Sequence, residues 1–144
     1  MKTYSRFQLY QFLKAFFVMF IGLTVLLAIT TAIFHSTISG IQILLALNII
    51  VSLTAGYIYY RNRYALSFSY DGQGFVLKEG KEEREAAWSR FDAVSLYHTG
   101  YGDLNVRVYQ GTDFLDIPAS ALKIDASDLR FEVMEFIKKE GKDE

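Results

Sequence analysis

The chain has 144 residues, 15 Lys and Arg against 16 Asp and Glu, and no cysteine. That length suffices for one modest domain, or for a membrane hairpin carrying a small one. The missing cysteine excludes disulfides, thiolate-held zinc, iron–sulfur clusters and a cysteine nucleophile, and His35 and His98 alone are too few for a His-rich metal site.

The near-neutral total conceals two opposite parts. Residues 1–63 contain no acid and carry Lys2, Arg6, Lys14, Arg61 and Arg63, a formal +5, while residues 64–144 hold the other 10 bases and all 16 acids, a formal −6. Such asymmetry suggests that the parts meet different surroundings.

Residues 15–34 form an uncharged run, AFFVMFIGLTVLLAITTAIF, and a second extends over residues 36–60. Twenty residues rise ~30 Å as a helix, the thickness of a bilayer's hydrocarbon core. Neither run has the polar face of a water-exposed helix. The pattern predicts transmembrane helices over about residues 10–35 and 39–62, joined by the short link HSTISG as a hairpin that occupies residues 1–63. Two buried core helices would need more remaining chain to cover them. A cleaved signal peptide is disfavoured by the length of the first run and by the lack of a small-x-small site.

The basic residues flank the outer ends of both helices, which by the positive-inside rule puts the N- and C-termini in the cytoplasm. Lys14, Tyr57, Tyr59, Tyr60, Arg61 and Arg63 are the expected membrane-interface anchors, with Tyr4 and Tyr10 ahead of the first helix. Gln42 and Asn48 are polar but uncharged, and Ser52, Gly56 and Gly22 allow close helix approach. These residues are expected to pack the hairpin, with a protein partner or a homo-oligomer through the same surface as the alternative.

From residue 64 the period changes to two. Tyr64, Leu66, Phe68 and Tyr70 alternate with small residues, as in a strand with one buried face. Asp71-Gly72-Gln73-Gly74 is a turn. Further strands follow over residues 75–79, 84–88, 93–99, 104–109 and 114–117, the last stopped by Pro118. Helical period then returns, with Leu129, Val133, Phe136 and Ile137 on one face and Asp125 or Ser127 as the cap. The predicted fold is a membrane α-hairpin plus an α+β soluble domain over residues 64–144, of about six short antiparallel strands and a C-terminal amphipathic helix.

This order resembles bacterial membrane proteins of the YcxB-like kind, in which two N-terminal transmembrane helices precede a pleckstrin-homology-like domain. The residues that carry the resemblance are FSYDGQGFVLKEG, EAAWSRFDAVSLY, LNVRVYQGTDFLDIP and the terminal DLRFEVMEFIKK. It implies a small PH-like sheet or partial barrel closed by the final helix, in a multi-pass protein of the cell (inner) membrane.

No G-x-S-x-G, H-E-x-x-H or G-x-x-x-x-G-K-[ST] motif occurs. Gly100-Tyr101-Gly102 reads as a hairpin turn, and His98 as a surface histidine without a visible nucleophile or orienting partner. Asp113 and Asp116 lack the further oxygen ligands of a calcium loop. The expectation is a non-enzymatic, membrane-tethered interaction module without cofactor: a scaffold, assembly factor or accessory subunit whose partners are the bilayer and a protein. Tyr97, His98, Tyr101, Arg107 and Tyr109 form the candidate interaction surface. Lipid recognition through Lys78, Lys81, Arg84 and Arg90 is the alternative, opposed by the acidic balance. A membrane enzyme or transporter component ranks third, and nucleic-acid binding is excluded by the same balance.

Overall fold

The computed structural model of the protein describes residues 1–34 and 41–140. The chain divides into two compact units, Gln8–Ala65 and a second built from Met1–Phe7 together with Leu66–Glu144.

The first unit is a pair of helices, α1 (Leu9–Phe34) and α2 (Ile41–Arg63). Both are long and apolar enough to cross a membrane. Most of their large apolar side chains are exposed, among them Phe17, Ile21, Leu26, Ile43 and Ile50. Soluble monomers rarely present an apolar surface of that extent, whereas lipid solvates it. The predicted link at residues 35–40 lies outside the described residues.

Three contacts between the two arms, and one within α2 that orients Asn48, fix the antiparallel pairing. The Asn48 side-chain amide donates to Thr24 Oγ1 at 2.9 Å, while Asn48 Oδ1 accepts from Ser52 at 3.1 Å. A Cβ on Gly56 would stand 2.9 Å from Phe16 Cα, so only glycine permits this approach. One turn further along α2 the Gln8 amide donates to the Tyr60 hydroxyl at 2.8 Å. Asn48, Ser52 and Gly56 thus pack the hairpin itself. Gly22, by contrast, has open space where its side chain would be, and Gln42 is exposed.

The second unit contains seven strands among the described residues, where about six were expected, all after residue 64. The additional one is β1 (Lys2–Arg6), which precedes the helices. It pairs antiparallel with β2 (Leu66–Tyr70), with Tyr4 opposite Phe68. The first seven residues therefore belong with the sheets, not with the hairpin. The physical reason is tertiary: KTYSR has a single apolar residue to mark a buried face, and its ladder partners lie 60 to 68 positions away. Tyr4 stacks on Tyr70 with ring centroids 6.1 Å apart.

Strand β2 pairs with β3 (Gly74–Glu79), and β3 with β4 (Glu82–Ala87), completing a four-stranded sheet in the order β1-β2-β3-β4. Asp71 shapes the β2–β3 turn by accepting the amides of Gln73 and Gly74 on Oδ1. A 3-10 turn at Trp88–Arg90 leads into a three-stranded sheet, β5 (Ala93–His98), β6 (Leu104–Gln110) and β7 (Asp113–Ile117). The short α3 (Ala119–Leu122) and the long α4 (Ala126–Glu140) close the unit.

The core lies among the inward residues of both sheets and α4: Phe68, Phe75, Leu77, Val106, Val108, Ile117, Leu129 and Val133. Each such side chain, once buried, stabilises the fold by about 1.5–3 kcal/mol. Trp88 is fully buried at their centre. It does not end a strand but starts the 3-10 turn, and its indole donates to the Asp71 carbonyl at 2.7 Å. Asp125 is the α4 cap, accepting the amides of Ser127 and Asp128. Leu129 and Val133 are buried and Phe136 and Ile137 half-buried, as their spacing predicts.

One ionic cluster joins β1 to α4. Lys2 donates to both Glu132 oxygens at 2.7 and 2.8 Å, and the Tyr70 hydroxyl donates to Oε2 at 2.8 Å. The hydrogen bonds from Lys2 and then Tyr70 hold the Glu132 carboxyl below its ordinary range. Burial, aided by Glu132, pushes the Tyr70 hydroxyl up.

Candidate interaction surface

Alternation sorts the residues of the three-stranded sheet onto two faces. Val94 and Leu96 on β5, Val106 and Val108 on β6, and Leu115 and Ile117 on β7 meet the core. The other face is built from Ser95, Tyr97, Asn105, Arg107, Tyr109, Phe114 and Asp116. Register sets Ser95, Arg107 and Asp116 in one row, Tyr97 beside Asn105, and Tyr109 beside Phe114.

Arg107 is the centre of this face. Its Nε and Nη2 donate to the two oxygens of Asp116 at 2.6 and 2.8 Å. Its guanidinium carbon lies 3.7 Å from the Tyr97 ring centroid and 3.9 Å from that of Phe114. Tyr97 comes from the strand on one side and Phe114 from the strand on the other, so the guanidinium is flanked by a ring from each. The bidentate geometry matches the planar fork of arginine, and the ring contacts add cation–π attraction. The hydrogen bonds from Arg107 to Asp116, with the pair's charge attraction, raise the guanidinium pKa further. Tyr109 joins through its hydroxyl, 3.1 Å from Ser95 Oγ.

Of the five expected surface residues, Tyr97, Arg107 and Tyr109 share this face. His98 and Tyr101 do not join the cluster. His98 is exposed at the end of β5 opposite Leu104, and Tyr101 is 97% exposed in the following turn. Sequence reading missed Phe114 and Asp116 as members. Their signal was the alternation of DFLDI, which sets both opposite the buried Ile117 parity. The same alternation sends Asp113 and Asp116 to opposite faces, so they do not converge on a cation. Among the described residues no group of three or more His, Asp or Glu side chains could hold a metal.

The two other residue sets resolve differently. Lys14, Tyr57, Arg61 and Arg63 are exposed on the hairpin, and Tyr59 is half-buried with its ring edge-on to Tyr64. Tyr60 is 4% exposed and braces the hairpin from within, against Phe12 and the Gln8 amide. In the basic set, Lys78 pairs with Glu83 at 3.2 Å and Arg84 with Glu82 at 3.1 Å.

Fold and surface together define a two-part protein, an apolar helical hairpin and a small β-rich unit that presents an aromatic–guanidinium face. Comparison with protein-family models, with curated proteins and with solved structures returns no match.

Proposed function

We propose that the chain is a non-enzymatic, membrane-tethered interaction module, a scaffold, assembly factor or accessory subunit that docks a protein through the outer face of β5-β6-β7. The observation that carries this reading is the Tyr97–Arg107–Phe114 layer. Its charge is neutralised internally by Asp116, and its rings are 40% and 56% exposed. Large aromatic side chains and arginine, held rigid, are the residues enriched at the centres of protein interfaces. Ordering them beforehand lowers the entropic cost of docking.

The hairpin is read as the anchor. Lys14, Arg61 and Arg63 at one end of it support termini in the cytoplasm of a cell (inner) membrane protein. A YcxB-like, PH-like domain is supported by two small antiparallel sheets and a C-terminal helix after the hairpin, while the strand ahead of the hairpin departs from that order. Lipid recognition has less support, because Lys78 and Arg84 are already paired with carboxylates.

The test is photo-crosslinking in native membranes, with a benzophenone side chain at Tyr97 or Phe114, and at exposed Asp128 as control. A single stoichiometric adduct at the first two positions and none at Asp128 is expected. Adducts at Asp128 equal to those at Tyr97, or none at any position, would overturn the reading.

A further inference from the structure

Strand β4 has β3 on one side, and among the described residues no strand pairs with its other side. The turn through Gly80 and Lys81 sets Glu79 opposite Glu82. In such a hairpin the hydrogen-bonded positions alternate, so Glu82, Arg84 and Ala86 bond inward to β3, and the amide of Trp88 continues the set by donating to Gln73. The amides and carbonyls of Glu83, Glu85 and Ala87 therefore point along the free edge.

Three acids line this six-residue strand. Glu82 and Glu83 are in exposed ion pairs with Arg84 and Lys78, which are weak in water and open to exchange, and among the described residues Glu85 is in none. Charge on an edge discourages pairing with a like-charged strand, and by the same Coulomb argument favours an opposite one. Edge protection alone does not account for a second feature. Glu85 borders a surface cavity of about 400 Å³ whose walls include Tyr70, Asp71, Val76, Ala86 and Ala87. Mixed polar and apolar walls, Met1 among them, with carboxylates from Asp71 and Glu85 suit a side chain with an aliphatic stem and a cationic head, which would share Asp71 with the N-terminal ammonium. Two backbone amides hold the Asp71 carboxyl below its ordinary range, so it stays ionised at neutral pH.

We propose that the β4 edge binds an extended basic segment of a partner protein by strand addition, with Lys or Arg side chains opposite Glu83 and Glu85 and one of them in the cavity beside Asp71. This rests on the reading of the soluble unit as an interaction module, but uses a surface other than the Arg107 face. Backbone pairing supplies affinity in this mode, and alternate side chains supply selectivity.

The experiment uses the full chain in phosphatidylcholine nanodiscs with two peptide probes, alternating Lys-Thr and alternating Glu-Thr, eight residues each. The Lys-Thr peptide is expected to bind at least tenfold more tightly, and to slow exchange of the Glu83, Glu85 and Ala87 amides at least tenfold. E83K/E85K should weaken it at least tenfold. Glu85→Pro removes one edge amide on a strand position that tolerates proline, and should abolish the exchange protection. Binding that survives Glu85→Pro without edge protection, or equal binding of both peptides, overturns the proposal. So does no binding. If crosslinks at Tyr97 persist in that case, only the edge assignment fails; if they are also missing, the interaction-module reading fails with it.

Discussion

Replacing Trp88 by Phe tests how the second unit is held together. Three contributions are removed. The indole donor to the Asp71 carbonyl is lost, about 1 kcal/mol net, with about 1 more if that carbonyl stays dry. The ring also contacts Phe75 at 4.8 Å and is stacked on Phe136 at 6.0 Å, and part of each aromatic pairing, about 0.5–1.5 kcal/mol, goes with the smaller ring. The total is about 2–3 kcal/mol. Amide hydrogen exchange of the full chain in nanodiscs reads this directly, because Phe75 sits on β3 and Phe136 on α4. Under equilibrium-limited exchange, the slowest amides of β3, β6 and α4 should exchange roughly 30- to 140-fold faster, at about 1.4 kcal/mol per tenfold. Phe131→Ala, at a 55% exposed position on α4, should change them by less than about 0.5 kcal/mol. An acceleration under about threefold in Trp88→Phe would refute the claim that this side chain locks turn, sheet and helix together.

Other outcomes follow from the same contacts. The folded pKa of Glu132 lies below its unfolded value, so its contribution is complete above the ordinary carboxylate value of about 4.3 and lost as pH falls through the depressed one. Protection of the Lys2–Arg6 amides, corrected for intrinsic exchange, should thus hold from neutral to mildly acid pH and drop below about 4, and Glu132→Gln should flatten that drop. Tyr70 and Lys2 are shifted up, so their contributions persist below about pH 10 and fade as alkali titrates them. Gly56→Ala pushes a methyl into the Phe16 backbone and should weaken the α1–α2 pairing by about 1–3 kcal/mol in a steric-trapping assay; no change would show that the helices part freely there. Lys123 holds a left-handed φ of 56° at the end of α3, so Lys123→Gly should gain about 0.5–1 kcal/mol, read as slower exchange of the α3 and β6 amides.

Much of the architecture depends on short-range pattern and was legible in order along the chain. Two uncharged runs define α1 and α2, because helix length and lipid thickness are matched by residue count alone. Period-two alternation marks β2, β3 and β6, and Asp125 or Ser127 marks the start of α4, the structure selecting Asp125. On the outer face of β5-β6-β7, alternation along β6 identifies Arg107 and Tyr109 as neighbours on the face opposite Val106 and Val108. Where side chains on one strand suffice, the residues announce their role.

What only the tertiary structure decided are the contacts between distant segments. KTYSR becomes a strand because β2 offers it a ladder, and Lys2 finds Glu132 across 130 positions. Tyr60 looks like its neighbours Tyr57 and Tyr59, and becomes an internal brace because the chain returns Gln8 and Phe12 to its side. Arg107 could be placed on a face from sequence, but not between Tyr97 and Phe114, since that depends on the register of three strands at once. Local pattern determines which face a side chain takes, while the partners it meets there follow from how remote strands and helices align.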